Sequence, residues 1–317
     1  MMTLQNRPEA SHLHLARLLP ADTIAPPVLE AVWSASQDVD DPASRPRDGW
    51  WSVVEWASTI RPLTMNGGVI GLAAVRVSNG DDVAEGRLAL AADRRTRSTA
   101  RALVKAALGI ARSGGAERLR LVIPGQATWA GDAVREAGFE TIRATHVMLR
   151  PASAGPMASP NVEGVDVRPL RPDEDAALLT ALNRAWAGTW GFSPVAPAAL
   201  AGDLRDQRDG MLVAIGTVDD SRIVATVHAI FDPDARNVDG GPSAWISNLS
   251  TDPDWRGRGL GRLMLTRGID KLEERGAGSV MLGVDGGNDA AMGLYRSAGF
   301  EVVSTTDIWE RSLGGLR

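Results

Sequence analysis

The sequence contains no cysteine, and this absence removes several kinds of chemistry at once. The chain can form no disulfide, offers no thiolate nucleophile and supplies no thiolate ligand to a metal. Only four histidines are present, and none lies four residues from another, so the spacing of a helical metal-binding pair is missing. We therefore expect no metal site, and any catalysis must use other groups.

Clustered positive charge and long apolar runs are also missing. The formal net charge is -5 and both charge signs are scattered, whereas a nucleic-acid surface needs grouped Lys and Arg side chains. No apolar run approaches the roughly 18 residues of a membrane helix, and the first residues lack the pattern of a secretory leader. We expect a cytoplasmic protein with no nucleic-acid or membrane partner.

The 317 residues, 44% of them hydrophobic, suffice for two cores. A Pro-, Ala-, Ser- and Gly-rich linker at 151–163 predicts a first domain at 1–150 and a second at 164–317. Across this linker the sequence repeats with an offset of 161, because EAGFETI at 136–142 returns as SAGFEVV at 297–303. The same register aligns 88–104 with 249–265.

Each copy contains hairpin strands followed by a β-α-β crossover. Apolar spacing predicts a helix at Gly259–Arg275. A second helix is predicted at Ala290–Ala298. The strands predicted in the second copy are Val165–Pro169, Met211–Val218, Ile223–Phe231, Trp245–Thr251, Ser279–Val284 and Glu301–Trp309. This order predicts an α/β, or layered α+β, fold in which a mixed, mostly antiparallel sheet is flanked by helices.

The turn between Thr251 and the helix at Gly259 reads DPDWRGRGLG. Its glycines permit close approach of backbone N–H groups, and a helix N-terminus favours an anion such as phosphate. A dinucleotide fingerprint fails because Arg262 stands where the third glycine is needed, and a P-loop fails because no Gly-Lys-Ser/Thr follows. A glycine-rich turn with surface arginines remains the alternative.

Two segments resemble the GNAT family of N-acetyltransferases. Arg256-Gly257-Arg258-Gly259-Leu260-Gly261 is similar to the family's R/Q-x-x-G-x-G/A signature, and 288–300 is similar to its N-x-x-A-x-x-L-Y-x-x-x-G-F segment. The two-copy layout resembles the tandem members of the family, the mycothiol synthases. The resemblance implies two tandem GNAT-like domains and acetyl-CoA as co-substrate, with the cofactor-binding residues Leu249, Thr251, Arg256, Gly257, Arg258, Gly259, Leu260, Gly261 and Asn288.

The first copy lacks the residues that carry this resemblance. In the repeat register Ser98 replaces Gly259 and Ala100 replaces Gly261. Ala127 and Val134 replace the asparagine and tyrosine of the second segment. We expect a degenerate, non-catalytic first domain; residual CoA binding through Arg94, Arg95 and Arg97 is the alternative.

The resemblance also implies catalytic roles in the second copy. Tyr295 is the expected acid for the departing thiolate, and backbone N–H groups near Leu249 and Thr251 are expected at the thioester. Relatives carry a carboxylate base where this chain has Trp245. Asp285, His228 and a water relay remain open as the base.

The acceptor is expected to be a small-molecule amine, lined by aromatic side chains at Trp186, Trp190, Phe192 and Trp245. An aminoglycoside-like antibiotic or a protein N-terminus are alternatives within the same chemistry. A non-catalytic acyl-CoA-sensing module is the alternative from another class. The presence of both Asn288 and Tyr295 favours an enzyme.

Overall fold

A computed structural model describes residues 16–20, 23–43, 59–77, 82–217 and 222–314. Its strands β1 to β12 are Arg17–Leu18, Ile60–Met65, Gly68–Arg76, Val83–Leu90, Arg118–Pro124, Glu140–Arg150, Val165–Pro169, Met211–Gly216, Ile223–Arg236, Pro242–Thr251, Val280–Asp285 and Glu301–Ser312. Its helices α1 to α7 are Pro26–Asp40, Arg97–Ser113, Thr128–Glu136, Asp175–Trp186, Pro197–Leu204, Leu260–Glu274 and Asp289–Ser297. The α/β fold with mixed sheets predicted from the sequence is confirmed.

The chain forms two compact units with the same strand order. Unit 1 comprises Met1–Arg143 and Thr306–Arg317, and unit 2 comprises Ala144–Thr305. In unit 1 the order is β1-β2-β3-β4-β5-β12, with β4 and β5 parallel and the other pairs antiparallel. In unit 2 it is β7-β8-β9-β10-β11-β6, with β10 and β11 as the parallel pair.

Each unit takes its sixth strand from the other half of the sequence. Strand β6 pairs with β11 from Val280↔Arg150 to Asp285↔Thr145, and β12 pairs with β5 from Thr306↔Pro124 to Ser312↔Arg118. The units therefore differ from the ranges 1–150 and 164–317 by an exchange of these strands. The two copies offer equivalent strand edges at β5 and β11, so either final strand has a partner in either unit.

The offset of 161 holds through the crossover region. A single 3-10 turn follows β4 at Ala92–Arg94 and follows β10 at Pro253–Trp255. Helix α3 and helix α7 also begin and end at equivalent positions. Arg95 and Arg256 consequently occupy matching places after their strands.

Helix α6 packs directly on the sheet of unit 2. A side chain at Gly268 would meet Ile246 and Val227 at 2.7 Å, so only glycine permits this approach. Leu260 at the start of the helix and Leu272 near its end are buried in the same core. This packing fixes the helix N-terminus beside the end of β10.

Most predicted elements in unit 2 are present with small differences at their ends. The helix begins at Leu260 rather than Gly259 and ends at Glu274. Strand β9 continues to Arg236 and β12 to Ser312, beyond the predicted ends. Strand β8 ends at Gly216, and Val218 lies outside the described residues.

Candidate active site

Strands β10 and β11 are paired over only two residue pairs. Their parallel pairing is limited to Trp245↔Met281 and Ile246↔Leu282. Just beyond, a bulge interrupts the β9–β10 register between Ser247 and Ser250, and Asn248 adopts φ +47°. Bulges bend a strand and re-aim its backbone, and beyond Ile246 the described residues show no further pairing of β10 with β11; we call the space between the two strand ends the cleft.

The backbone N–H groups of β10 alternate between its two sides. The N–H of Asp252 bonds the carbonyl of Val224 at 2.8 Å, on the β9 side. Alternation along an antiparallel ladder then directs the N–H group of Thr251 away from β9 and toward the cleft. The β-bulge is held by Thr226, whose hydroxyl donates to the carbonyl of Asn248 at 2.6 Å.

The turn at 252–261, which we call the phosphate loop, leads into the N-terminus of α6, where no side chain caps the helix. Gly257 and Gly259 have φ of +76° and +88°, a region that side chains disfavour, and Gly259 caps α6 without a side-chain hydrogen bond. The N–H groups of the first helical turn therefore point outward with no intrahelical acceptor. A Cβ at Gly261 would approach Leu294 at 3.4 Å, so a larger side chain would fill the space beside Thr251. Backbone donors and narrow space suit a pyrophosphate.

The two loop arginines have different partners. The Arg258 guanidinium stacks 4.8 Å from the ring of Trp255 and donates to the carbonyl of Asp254 at 3.2 Å. It lies on the exposed side of the loop. The Arg256 Nη2 donates instead to the carbonyl of Ala185 at 2.7 Å, near the C-terminal end of α4.

The buried carboxylate of Asp252 forms hydrogen bonds to the start of this loop. Asp252 is 4% exposed and accepts hydrogen bonds from Arg184, at 2.8 Å, from Arg222 and from the N–H of Asp254. Burial alone raises the pKa of this carboxyl, but the hydrogen bonds from Arg222 and Asp254 and the charges of both arginines hold it below its ordinary value. The Asp252 side chain is thus an anion that joins α4, β9 and the loop.

Tyr295 lies on α7, with its ring buried against Phe300 at a centroid distance of 5.9 Å. The side chain is 7% exposed, and desolvation raises the pKa of Tyr295 to about 12. The hydroxyl has no hydrogen-bond partner within the described part of the chain. Asn288 begins the same helix as its N-cap, with Oδ1 accepting from the N–H of Ala291 at 3.1 Å, and is exposed.

The two base candidates occupy different environments. Asp285 ends β11 and is half-buried, and its Oδ1 accepts from the N–H of Gly287 at 3.0 Å. It pairs with Thr145 of β6 and lies beyond the two residue pairs that join β11 to β10. His228 is 0% exposed inside the sheet, and its Nε2 lies 3.0 Å from the carbonyl of Gln207.

One further histidine, His146, is brought to the same region by the strand exchange. It lies on β6 opposite Val284, with Nδ1 3.0 Å from the Thr305 hydroxyl. A Cβ at Gly286 would meet its Nε2 at 2.7 Å, so the ring covers the turn after β11. Sequence reasoning missed it because residues 1–150 were assigned to the other copy.

The four aromatic candidates differ in their burial. Trp245 is 8% exposed in the sheet, opposite Ile230. Trp186 and Phe192 are half-buried at the end of α4 and in the turn that follows, and Trp190 is 40% exposed. The turn is closed by hydrogen bonds from the N–H and hydroxyl of Thr189 to the carbonyl of Trp186.

In unit 1 the equivalent backbone donors have acceptors within the chain. Helix α2 begins two residues earlier in the repeat register, and in its capping box the Thr96 hydroxyl accepts from the N–H of Thr99 and the Thr99 hydroxyl accepts from the N–H of Thr96. The Thr96 carbonyl accepts from the N–H of Ala100, so the counterparts of Leu260 and Gly261 both have acceptors. The N–H of Leu90, which corresponds to Thr251, donates to the hydroxyl of Ser36 on α1 at 3.1 Å. Both sets of donors that are open in unit 2 are therefore occupied here.

Within the described ranges no helix is long and apolar enough to cross a membrane. The same residues include no group of three or more His, Asp or Glu side chains placed to hold a metal. The donors of the candidate site are backbone N–H groups, guanidinium groups and a phenol.

Known proteins resemble this chain in sequence and in fold. The acetyltransferase (GNAT) family matches residues 176–300. A mycothiol acetyltransferase of Nocardia farcinica is 30% identical over 246 residues, covering 74% of this chain and 77% of that protein. A GCN5-related N-acetyltransferase from Sphaerobacter thermophilus superposes with a TM-score of 0.69 at 20% identity, covering 94% and 95% of the two chains. A tandem GNAT protein from the clavulanic acid biosynthesis pathway gives 0.64 at 16%, covering 95% and 98%.

Proposed function

The chain belongs to the GNAT family of acetyltransferases, and on that premise we propose that unit 2 transfers an acetyl group from acetyl-CoA to the amine of a small molecule. The observation that carries this proposal is the cleft between β10 and β11, which opens directly onto the uncapped N-terminus of α6. Acetyltransferases of this family use acetyl-CoA, which supplies the activated acetyl thioester.

The residues of unit 2 fit such a ligand. The backbone of Arg256–Gly261 and the first turn of α6 supply N–H donors for the pyrophosphate, and Arg258 adds positive charge on the exposed side. The N–H group of Thr251 faces the cleft where the pantetheine and the thioester carbonyl would lie, and the family resemblance assigns the N–H group of Leu249 to the same ligand. Donors placed at that carbonyl stabilise negative charge as it develops there.

Tyr295 acts at the sulfur. With a pKa of about 12, its hydroxyl stays protonated at neutral pH and donates a hydrogen bond as negative charge develops on the leaving sulfur. Asn288 contributes by capping α7 and so fixing the helix that carries Tyr295.

We assign the base role to Asp285, directly or through a water. It is half-buried at the end of β11, beyond the pairing of that strand with β10, whereas His228 is enclosed in the sheet and bonded to a carbonyl. Trp245 occupies the position where relatives carry a carboxylate, and its burial in the sheet gives it a packing role. The acceptor amine must be neutral to attack, so removal of its proton precedes or accompanies acetyl transfer.

For the acceptor, the name of the Nocardia farcinica relative makes the amine precursor of mycothiol the first compound to test. The exposed Trp190 and half-buried Trp186 and Phe192 supply apolar contact beside the cleft. We propose that unit 1 is non-catalytic because the Ser36 hydroxyl and Thr96 accept hydrogen bonds from the N–H groups of Leu90, Thr99 and Ala100.

The test is product mass spectrometry after incubation with acetyl-CoA and a library of amines that includes this precursor. We expect a mass gain of one acetyl group on a small-molecule amine, lost in the Gly259→Glu variant. Tight CoA binding with no acetylated product from any amine would instead support a sensing module. Acetylation confined to protein N-termini would contradict the small-molecule assignment.

A further inference from the structure

The first arginine of the phosphate loop is engaged outside the loop. Arg256 donates from Nη2 to the carbonyl of Ala185 at 2.7 Å and from Nε to the carbonyl of Thr251 at 3.4 Å. Ala185 is the penultimate residue of α4 and is buried. The last carbonyls of a helix lack intrahelical donors and carry the negative end of the helix dipole, so a guanidinium is a favourable partner.

A second link joins the same two elements. Arg184, one residue earlier on α4, donates to the carboxylate of Asp252 at 2.8 Å and to that of Asp254 at 2.5 Å. Asp252 precedes the loop and is buried, and its negative charge is compensated by Arg184 and Arg222. The C-terminal end of α4 is therefore held to the loop by a backbone contact and by a charge pair.

The same connection occurs in unit 1. Arg95, the counterpart of Arg256, donates to the carboxylate of Asp40 at 2.9 Å, and Asp40 is the last residue of α1. Unit 1 has lost the loop glycines to Ser98 and Ala100, yet this arginine still binds the end of the first helix. The contact therefore persists where the loop is not built for a phosphate, which separates it from phosphate binding.

The residues that follow Ala185 depend on this end of α4. Trp186 accepts a hydrogen bond from the N–H of Thr189 at 3.0 Å, and Thr189 accepts one from the N–H of Phe192 at 3.2 Å. We propose that Arg256 is a positioning residue that holds the segment Trp186–Phe192 beside the CoA cleft through the Ala185 carbonyl, and is not a ligand of the pyrophosphate. The proposal rests on the proposed function for the identity of this segment as the acceptor side.

A first experiment tests, without any catalysis, whether the contact between Arg256 and the Ala185 carbonyl, which we call the tether, holds the segment Trp186–Phe192. Hydrogen exchange by mass spectrometry on the full chain, without ligand, compares Arg256→Ala with the control Arg258→Ala. We expect amides in 187–192 to exchange at least about tenfold faster in the Arg256 variant, because a hydrogen bond from a charged donor is lost from this end of the helix. The Arg258 variant should leave their exchange within about twofold of wild type. Unchanged exchange in Arg256→Ala would overturn the proposal whether or not acetyl transfer occurs.

A second experiment separates the two roles of an arginine in this loop. By calorimetric titration with CoA, Arg256→Ala should keep the affinity within about threefold, whereas Arg258→Ala should weaken it by about threefold to thirtyfold. With an acceptor in hand, Arg256→Ala should raise the acceptor KM at least about tenfold with the acetyl-CoA KM unchanged. Arg256→Lys, which keeps one cationic donor, should restore part of the acceptor KM.

The CoA affinities of the two alanine variants can also overturn the proposal. If Arg256→Ala weakens CoA binding as much as Arg258→Ala does, the guanidinium is a phosphate ligand. Should the alanine variant fail to fold, as judged by a thermal melt, the same comparison is made with Arg256→Lys. That variant retains the charge near the loop, so a loss of CoA affinity there would also contradict the tether.

Discussion

Replacing Tyr295 by phenylalanine removes a single hydroxyl from the candidate active site. The ring packs 5.9 Å from Phe300 in the core of unit 2, and phenylalanine preserves that packing. The hydroxyl makes no hydrogen bond within the described residues, so its removal leaves no described group unpaired. We expect the free energy of unfolding to change by less than about 1 kcal/mol.

The size of the catalytic effect follows from the acidity of this phenol. Burial raises the pKa of Tyr295 to about 12, whereas an ordinary thiol has a pKa near 8.5. Complete proton transfer to the leaving thiolate is then unfavourable by about 5 kcal/mol before the charges of the bound state are added. A hydrogen bond to a developing charge contributes about 1.5–3 kcal/mol. We therefore expect the turnover number to fall about 10- to 100-fold, less than the upper range for positioned acids.

The absence of cysteine makes the assay simple. The enzyme itself contains no thiol, so a thiol reagent reports only released CoA when the acceptor amine also lacks a thiol. With a thiol-bearing acceptor such as the mycothiol precursor, turnover is measured from the acetylated product by mass spectrometry. Steady-state kinetics should show a lower kcat with an unchanged KM for acetyl-CoA, beside a melting temperature close to wild type. The activity of the wild type should also show no loss from ionisation of this phenol up to about pH 10, because the pKa is raised. Full activity in a normally folded Tyr295→Phe variant would refute the role of the hydroxyl.

Three further outcomes are expected. Titration should find one tight CoA site per chain, abolished by Gly259→Glu and retained in Ser98→Glu; loss in the second variant would place the site in unit 1. Hydrogen bonding to an arginine lowers the pKa of Glu174 from 4.5 to about 2, so its contribution to stability is present above about pH 5 and disappears as the pH falls toward 2. Chemical denaturation of Glu174→Gln should show a deficit below about 1 kcal/mol at pH 7 that vanishes at pH 2; a constant deficit would contradict the ion pair. Arg95→Ala should lower the melting temperature more than Asp40→Asn, because it leaves a buried carboxylate without its cation; equal shifts would argue against this ion pair.

The local elements were accessible from the sequence because they depend on local patterns. Apolar spacing placed α6 within one residue at each end. The repeat register placed Arg95 and Arg256 correctly because no insertion interrupts the crossover region. Strand β9 ran beyond its prediction since the polar residues after Phe231 pair with β10 rather than form a turn.

The exchange of the final strands lay beyond the sequence. Both copies present an equivalent edge, on β5 and on β11, so the apolar pattern of β6 fits either one. Side-chain environments were equally inaccessible. Periodicity did not show that His228 is enclosed in the sheet or that Asn288 serves as a helix cap, because both depend on neighbours distant in sequence or on the local turn.

The two units together separate the features that a CoA site requires. Both have parallel strands that pair briefly, at Val83–Gly86 in β4 and at Trp245–Ile246 in β10, so strand separation alone does not distinguish them. They differ in the helix that follows. In unit 2 a left-handed Gly259 leaves the N–H groups of Leu260 and Gly261 open, whereas in unit 1 the hydroxyl and carbonyl of Thr96 accept from their counterparts, the N–H groups of Thr99 and Ala100. Replacement of the loop glycines thus changes more than the space available to a phosphate: it lets the helix start earlier and consume the donors that a phosphate would need.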